Sequence, residues 1–259
     1  MILKFKGIDL FYTDEGTGTP VILLHGFLEN LSMWQDLTPE LSKKHRVICI
    51  DLLGHGNTAC LGYIHSMELM AEAVEAILKH LEIKQSVLFG HSMGGYVALA
   101  FADKNPKNVL GLCLMNSTAL ADTTEKQLNR DRAINAVKQN HKTFIRIAIK
   151  NLFRPKNRIL FKEKIELVIN NALQTPIQGI IAALEGMKIR INREHVLEST
   201  DFKKMMIISK RDPALDYDSL ITQTKNRDIY IVEFPDGHMS HIENQDEFNS
   251  HIVHFIDFI

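Results

Sequence analysis

Gly90-His91-Ser92-Met93-Gly94-Gly95 closes the apolar run Ser86-Val-Leu-Phe and opens the helical stretch Tyr96 to Lys104. A strand that turns at once into a helix holds its central residue in strained backbone geometry, and side chains two positions to either side would collide. Glycine at 90 and 94 removes those side chains. The spacing therefore predicts Ser92 exposed above the C-terminal edge of a sheet, with a helix N-terminus beneath it. That is the position of a nucleophile, and a serine hydroxyl needs a base to take its proton.

Outward from this turn, short apolar runs alternate with helical patterns. The runs are Pro20 to His25, Arg46 to Asp51, Ser86 to Gly90, Val109 to Asn116, Lys204 to Ser209 and Asp228 to Phe234. Continuous rather than alternating apolar residues suit strands covered on both faces. Ile2 to Lys6 and Leu10 to Asp14 alternate more and read as an N-terminal hairpin. In Ser66 to Leu81, Met70, Val74, Ile77, Leu78 and Leu81 keep helical spacing, with Ser66 a weak N-cap signal. Phe248, Ile252, Phe255, Ile256 and Ile259 form another such stripe. The expected class is α/β, a doubly wound and mostly parallel sheet.

One segment breaks the alternation. Residues 121–199 read as about four helices punctuated by Pro155 and Pro176, with no strand. Between core segments 1–120 and 200–259, this insert is expected to form a helical lid. Its apolar faces (Phe144, Ile147 and Leu152; Ile177, Ile180, Ile181 and Leu184) should roof a closed, mostly apolar pocket near Ser92. The basic run Lys142 to Arg158 reads as a solvated helix face.

The acid and base are sought past later strand ends, on the edge where open α/β sheets bind ligands. Lys204 to Ser209 leads into Lys210-Arg211-Asp212-Pro213, and Phe234 into Pro235-Asp236-Gly237-His238. Asp212 and His238 are the candidates, with Asp122, Asp216 and Asp218 as rival acids and His241 as a rival base. His238 directly follows Gly237 and is expected to fold back toward Ser92, whereas His241 should point elsewhere.

The chain resembles the α/β-hydrolase superfamily over essentially its whole length, within its lidded esterase, lactonase and carbon–carbon hydrolase branch. The resemblance rests on the order Ser92, Asp212, His238 and on three further segments. These are His25-Gly26-Phe27, Asp51-Leu-Leu-Gly54-His55-Gly56 and Gly237-His238-Met-Ser-His241-Ile-Glu243. It implies an eight-stranded sheet, a Ser92–His238–Asp212 triad and an oxyanion hole made by the backbone N–H groups of Phe27 and Met93. The implied reaction is hydrolysis of a small to medium ester or lactone through an acyl-serine. Alternatives are carbon–carbon bond hydrolysis with the same triad, or a ligand sensor that docks a partner through the lid. Gly26-Phe27-Leu28-Glu29 resembles epoxide hydrolases, but those carry Asp where this chain has Ser92. The glycine-rich oxyanion loop of proline iminopeptidases is absent.

Composition narrows the partners. Thirty Lys and Arg against 31 Asp and Glu give a net charge of −1, which offers no electrostatic reason to expect nucleic acid or an anionic membrane. The expected partner is a small ester-like molecule; oligomeric state has no signature. Cys49, Cys60 and Cys113 share no ligand or disulfide spacing and read as free thiols. No cofactor and no metal are expected, since His241, His251 and His254 have no carboxylate in register. His25 and His55 should bond loop backbone, His91 pack under the turn, and Asp51 fix the turn to Gly56. The N-terminus has no secretory pattern and no apolar run approaches a bilayer span, so a cytoplasmic location is the default.

Overall fold

The computed structural model describes residues 1–199 and 201–259. Eight strands, β1 (Ile2–Phe5), β2 (Ile8–Glu15), β3 (Pro20–Leu24), β4 (Arg46–Ile50), β5 (Ser86–His91), β6 (Val109–Met115), β7 (Lys203–Ser209) and β8 (Tyr230–Phe234), form one sheet. Their spatial order is β1-β2-β4-β3-β5-β6-β7-β8. The first two form the expected hairpin, and β2 runs antiparallel to β4. Every other pairing is parallel. Because β3 lies between β4 and β5, the winding reverses there. A crevice opens beyond the carboxyl ends of β3 and β5.

The helices are α1 (Thr38–Leu41), α2 (Met67–His80), α3 (Met93–Lys104), α4 (Thr124–Leu152), α5 (Lys162–Ala172), α6 (Ile177–Lys188), α7 (Glu194–Glu198), α8 (Tyr217–Thr224), α9 (Ser240–Glu243) and α10 (Gln245–Asp257). The Ser66 side chain caps α2 by accepting from Leu69 N. Burial splits the core in two, as a sheet covered on both faces requires. One cluster joins Leu24, Leu88 and Leu114 to α2 and α3. The other joins Leu23, Phe89 and Cys113 to Trp34 and α10, with Phe89 edge-on to Phe255.

Helices α4 to α7 all lie between β6 and β7. Asn140 leaves helical geometry inside α4, and its side chain caps the second half by accepting from Thr143 N. Ile145, Ile165 and Ile180 of the insert belong to the same buried cluster as Leu24 and Val97. The insert is thus packed continuously onto the sheet side that carries α2 and α3. At the seam Gly179 meets Gly54, and a Cβ on Gly179 would lie 2.2 Å from Gly54 O. Two of the residues expected to face the body do not: Ile147 is 56% and Ile177 42% exposed. Ile180 and Leu184 of the same expected stripe are buried, and on α4 Ile145 and Ile149 carry the inward face in place of Ile147.

Candidate active site

Ser92 joins β5 to α3 with φ 49° and ψ −113°. A Cβ on Gly90 would lie 2.4 Å from Gly94 O, and one on Gly94 would lie 2.3 Å from Leu24 O. Neither approach tolerates a side chain, so both glycines are obligatory to the turn. Ser92 N donates to Met115 O, and Ser117 Oγ donates to Ser92 O. The elbow is therefore pinned to β6 on its sheet side.

Asp212 follows β7 and His238 follows β8, and tertiary folding brings them together. Asp212 Oδ2 lies 2.7 Å from His238 Nδ1. Asp212 also accepts from Ala214 N, Leu215 N and Asn116 Nδ2. Burial pushes this carboxyl up. The His238 partner, Ala214 N and Asn116 outweigh that and hold it below its ordinary value. An ionised Asp212 fixes the proton on Nδ1 and leaves His238 Nε2 as the acceptor. Ser92 and His238 line one cavity of about 480 Å³. Among the described residues they share no hydrogen bond; such contacts commonly tighten only with substrate bound.

Phe27 N makes no hydrogen bond among the described residues. Met93 N, at the first position of α3, has no intrahelical partner by the geometry of a helix. Met93 follows Ser92 in the chain, and Phe27 lines the same cavity as Ser92.

The rivals are otherwise engaged. Asp122 is clasped by Arg130 at 3.0 Å and Arg190 at 2.7 Å. Asp216 caps α8 by accepting from Ser219 N, and Asp218 is exposed. His241 is buried against the His91 ring, 5.1 Å between centroids, and burial pushes it down to about 3. His25 and His55 follow the sequence reading. His25 contacts Gly26 O and accepts from Leu52 N, while His55 contacts Leu53 O. Asp51 accepts from Leu31 N and Asn57 N, so its reach extends one residue past Gly56.

The cavity wall is mostly apolar in area, as expected, with Lys126, Asn129 and Arg130 from one face of α4 joining Phe144, Leu152 and Leu184. Two sequence expectations need correction. Arg154 departs from the solvated basic face and bonds Asp236 at 2.9 Å. His241 does have a carboxylate neighbour. Glu29, His91 and His241 bring donor atoms within 4.8 Å of one another. A metal there would have to displace the 2.7 Å hydrogen bond between His91 and Glu29, so the set reads as a hydrogen-bonded cluster. Sequence reasoning noticed Glu29 only as a resemblance, and it missed Asn116 and Arg154, whose partners are remote in the chain.

The chain belongs to the α/β hydrolase fold family, whose pattern matches residues 19–245. It is 30% identical over 256 residues to the dihydrolipoyllysine-residue acetyltransferase component of the acetoin cleaving system of Pseudomonas putida, covering 92% of this chain and 64% of that one. It is 36% identical over 119 residues to a 2-hydroxy-6-oxo-2,4-heptadienoate hydrolase of Pseudomonas putida, covering 44% and 43%. The chain thus spans less than two thirds of the length of these curated relatives. A malate-bound thermophilic esterase from Thermogutta terrifontis superposes with TM-score 0.91 at 30% identity, covering 99% of this chain and 96% of the other. The enol-lactonase of Burkholderia xenovorans LB400 gives 0.89 at 21% identity, covering 99% and 100%, and shares the fold. Among the described residues, no single helix is long and apolar enough to cross a membrane.

Proposed function

We propose that this hydrolase cleaves small to medium carboxylic esters or lactones through an acyl-serine intermediate. The observation that carries the reading is the strained Ser92 elbow opening into one cavity with an Asp212-bound His238. In the proposed reaction His238 Nε2 takes the Ser92 proton while Oγ attacks the carbonyl. The N–H groups of Phe27 and Met93 receive the developing oxyanion. His238 returns the proton to the leaving alcohol, then activates the water that releases the acid. Asp212 holds the imidazole tautomer throughout. Segment 121–199 serves as the cap. A cavity of about 480 Å³ falls within the small-molecule range, which supports modest substrates, and the likeness to an esterase at 30% identity points the same way.

A screen of activated esters of increasing acyl length tests the reading, with Ser92→Ala as control. Ser92→Ala should keep the fold and lose about 10⁶-fold in kcat. Residual activity within tenfold of the parent would remove the serine mechanism. The likeness to a 2-hydroxy-6-oxo-2,4-heptadienoate hydrolase favours a second reading, carbon–carbon cleavage with the same triad. Turnover of that dienoate with no ester turnover would establish it.

A further inference from the structure

His91 precedes Ser92, and both of its ring nitrogens face acceptors. Nδ1 lies 2.7 Å from Glu29 Oε2, and Nε2 lies 3.1 Å from the backbone carbonyl oxygen of His238. Glu29 Oε2 also accepts from Gly26 N at 2.8 Å, one residue before Phe27. A continuous chain of bonds therefore joins the oxyanion loop, the residue beside the nucleophile and the loop of the base. Glu29, His91 and His238 are each at most 5% exposed, so water does not substitute for a missing partner.

Proton placement follows from counting donors. A neutral imidazole carries one N–H and can make one of these two donations; an imidazolium makes both. A protonated Glu29 carboxyl could donate to Nδ1 instead. Its surroundings oppose this, because Gly26 N–H already donates to the same Oε2 that faces His91 Nδ1, a contact that favours the carboxylate.

We infer that Glu29 and His91 form a buried carboxylate–imidazolium pair that positions the oxyanion loop and His238 against Ser92. The inference rests on the serine-hydrolase reading of the site. Around His91 stand Glu29 and His25 from the region after β3, Asp212 after β7, and His238 and His241 after β8. Burial pushes His91 down, yet Glu29's charge and hydrogen bond, aided by the His238 carbonyl, raise it overall. Burial likewise pushes Glu29 up, but His91 brings it down to about 2.

Glu29→Gln separates this role from packing. The amide oxygen can still accept from Gly26, but without the carboxylate His91 loses its proton at lower pH. One of its two bonds then goes. The alkaline limb of kcat should move toward acid by about one pH unit or more. Glu29→Asp keeps the charge and should leave the limb in place, even where the rate falls. A limb that does not move in Glu29→Gln, whether activity is unchanged or uniformly lower, overturns the pair. Nitrogen-15 NMR of the His91 ring in the parent protein at pH 7 gives a reading that needs no substrate. Two protonated nitrogens are expected, and a single one would overturn the inference. This second measurement stands even if the ester chemistry fails.

Discussion

His238 and His241 are three residues apart, both buried, and both within reach of a carboxylate. Their partners separate them. His238 is bonded through Nδ1 to Asp212 and lines the Ser92 cavity, whereas His241 packs on His91 beside Glu29. His238→Ala should therefore abolish turnover, and His241→Ala should retain most of it. The two aspartates divide in the same way. Asp212→Asn should lower kcat by about 10⁴-fold, the scale of losing the tautomer-fixing acid. Asp122→Asn should spare the chemistry and cost stability instead, about 3 kcal/mol, because it leaves Arg190 buried beside a neutral partner. Steady-state kinetics and thermal unfolding of both variants check this; a large kcat loss confined to Asp122→Asn would reassign the acid.

The end of α4 is stapled to the loop that carries His238. Leu152 O accepts from His238 N at 2.9 Å. Arg154 pairs with Asp236, and Glu243 gathers Arg154 N, Asn157 Nδ2 and Gly237 N. The end of α4 and the loop of His238, the proposed base, are thus held together. Arg154→Ala should lower kcat about tenfold while costing only about 1–2 kcal/mol of stability, since the pair it breaks is partly solvated. Arg154→Lys, which keeps the charge, should recover part of the rate. A change in stability with no change in kcat would show that the cap seam and the base loop are independent.

The whole molecule keeps several histidines neutral by burial. Burial pushes His55 and His241 down to about 3 and His65 to about 4. Their folded values lie below the unfolded value of about 6.5, so the unfolded chain takes up protons first. Stability from these groups is complete above about pH 6.5 and is lost as pH falls toward 3–4. Glu29, folded value about 2, adds a loss from about 4.5 downward. His91 has the opposite sign: its raised value contributes below about 6.5 and is lost on the alkaline side. The lowered histidines outnumber it. Tm should fall by on the order of 10 °C between pH 7 and pH 4, and a flat Tm over that range would mean the buried rings are already charged. Cavity size sets the remaining whole-molecule expectation. kcat/KM should climb with acyl length by up to about 0.8 kcal/mol per methylene and then drop once about 480 Å³ is filled. A rise that continues to long-chain emulsions would show an open site.

Local chemistry determined the sheet and the elbow by itself. Buried parallel strands need continuous apolar runs, so β3, β5, β6 and β7 were visible as such, and the strained turn at Ser92 needs Gly90 and Gly94 whatever surrounds it. Asp212 and His238 could be placed at strand ends because the sheet puts every such end on one edge. Which acid reaches which imidazole was a tertiary decision. Asp122 and Asp212 look alike in sequence, and only packing gives one to two arginines and the other to His238. The Arg154 staple and the Glu29–His91 pair were equally invisible. They join residues 82 and 62 positions apart. Periodicity along the chain fixes which residues share a face; only the packed partner fixes what that face meets.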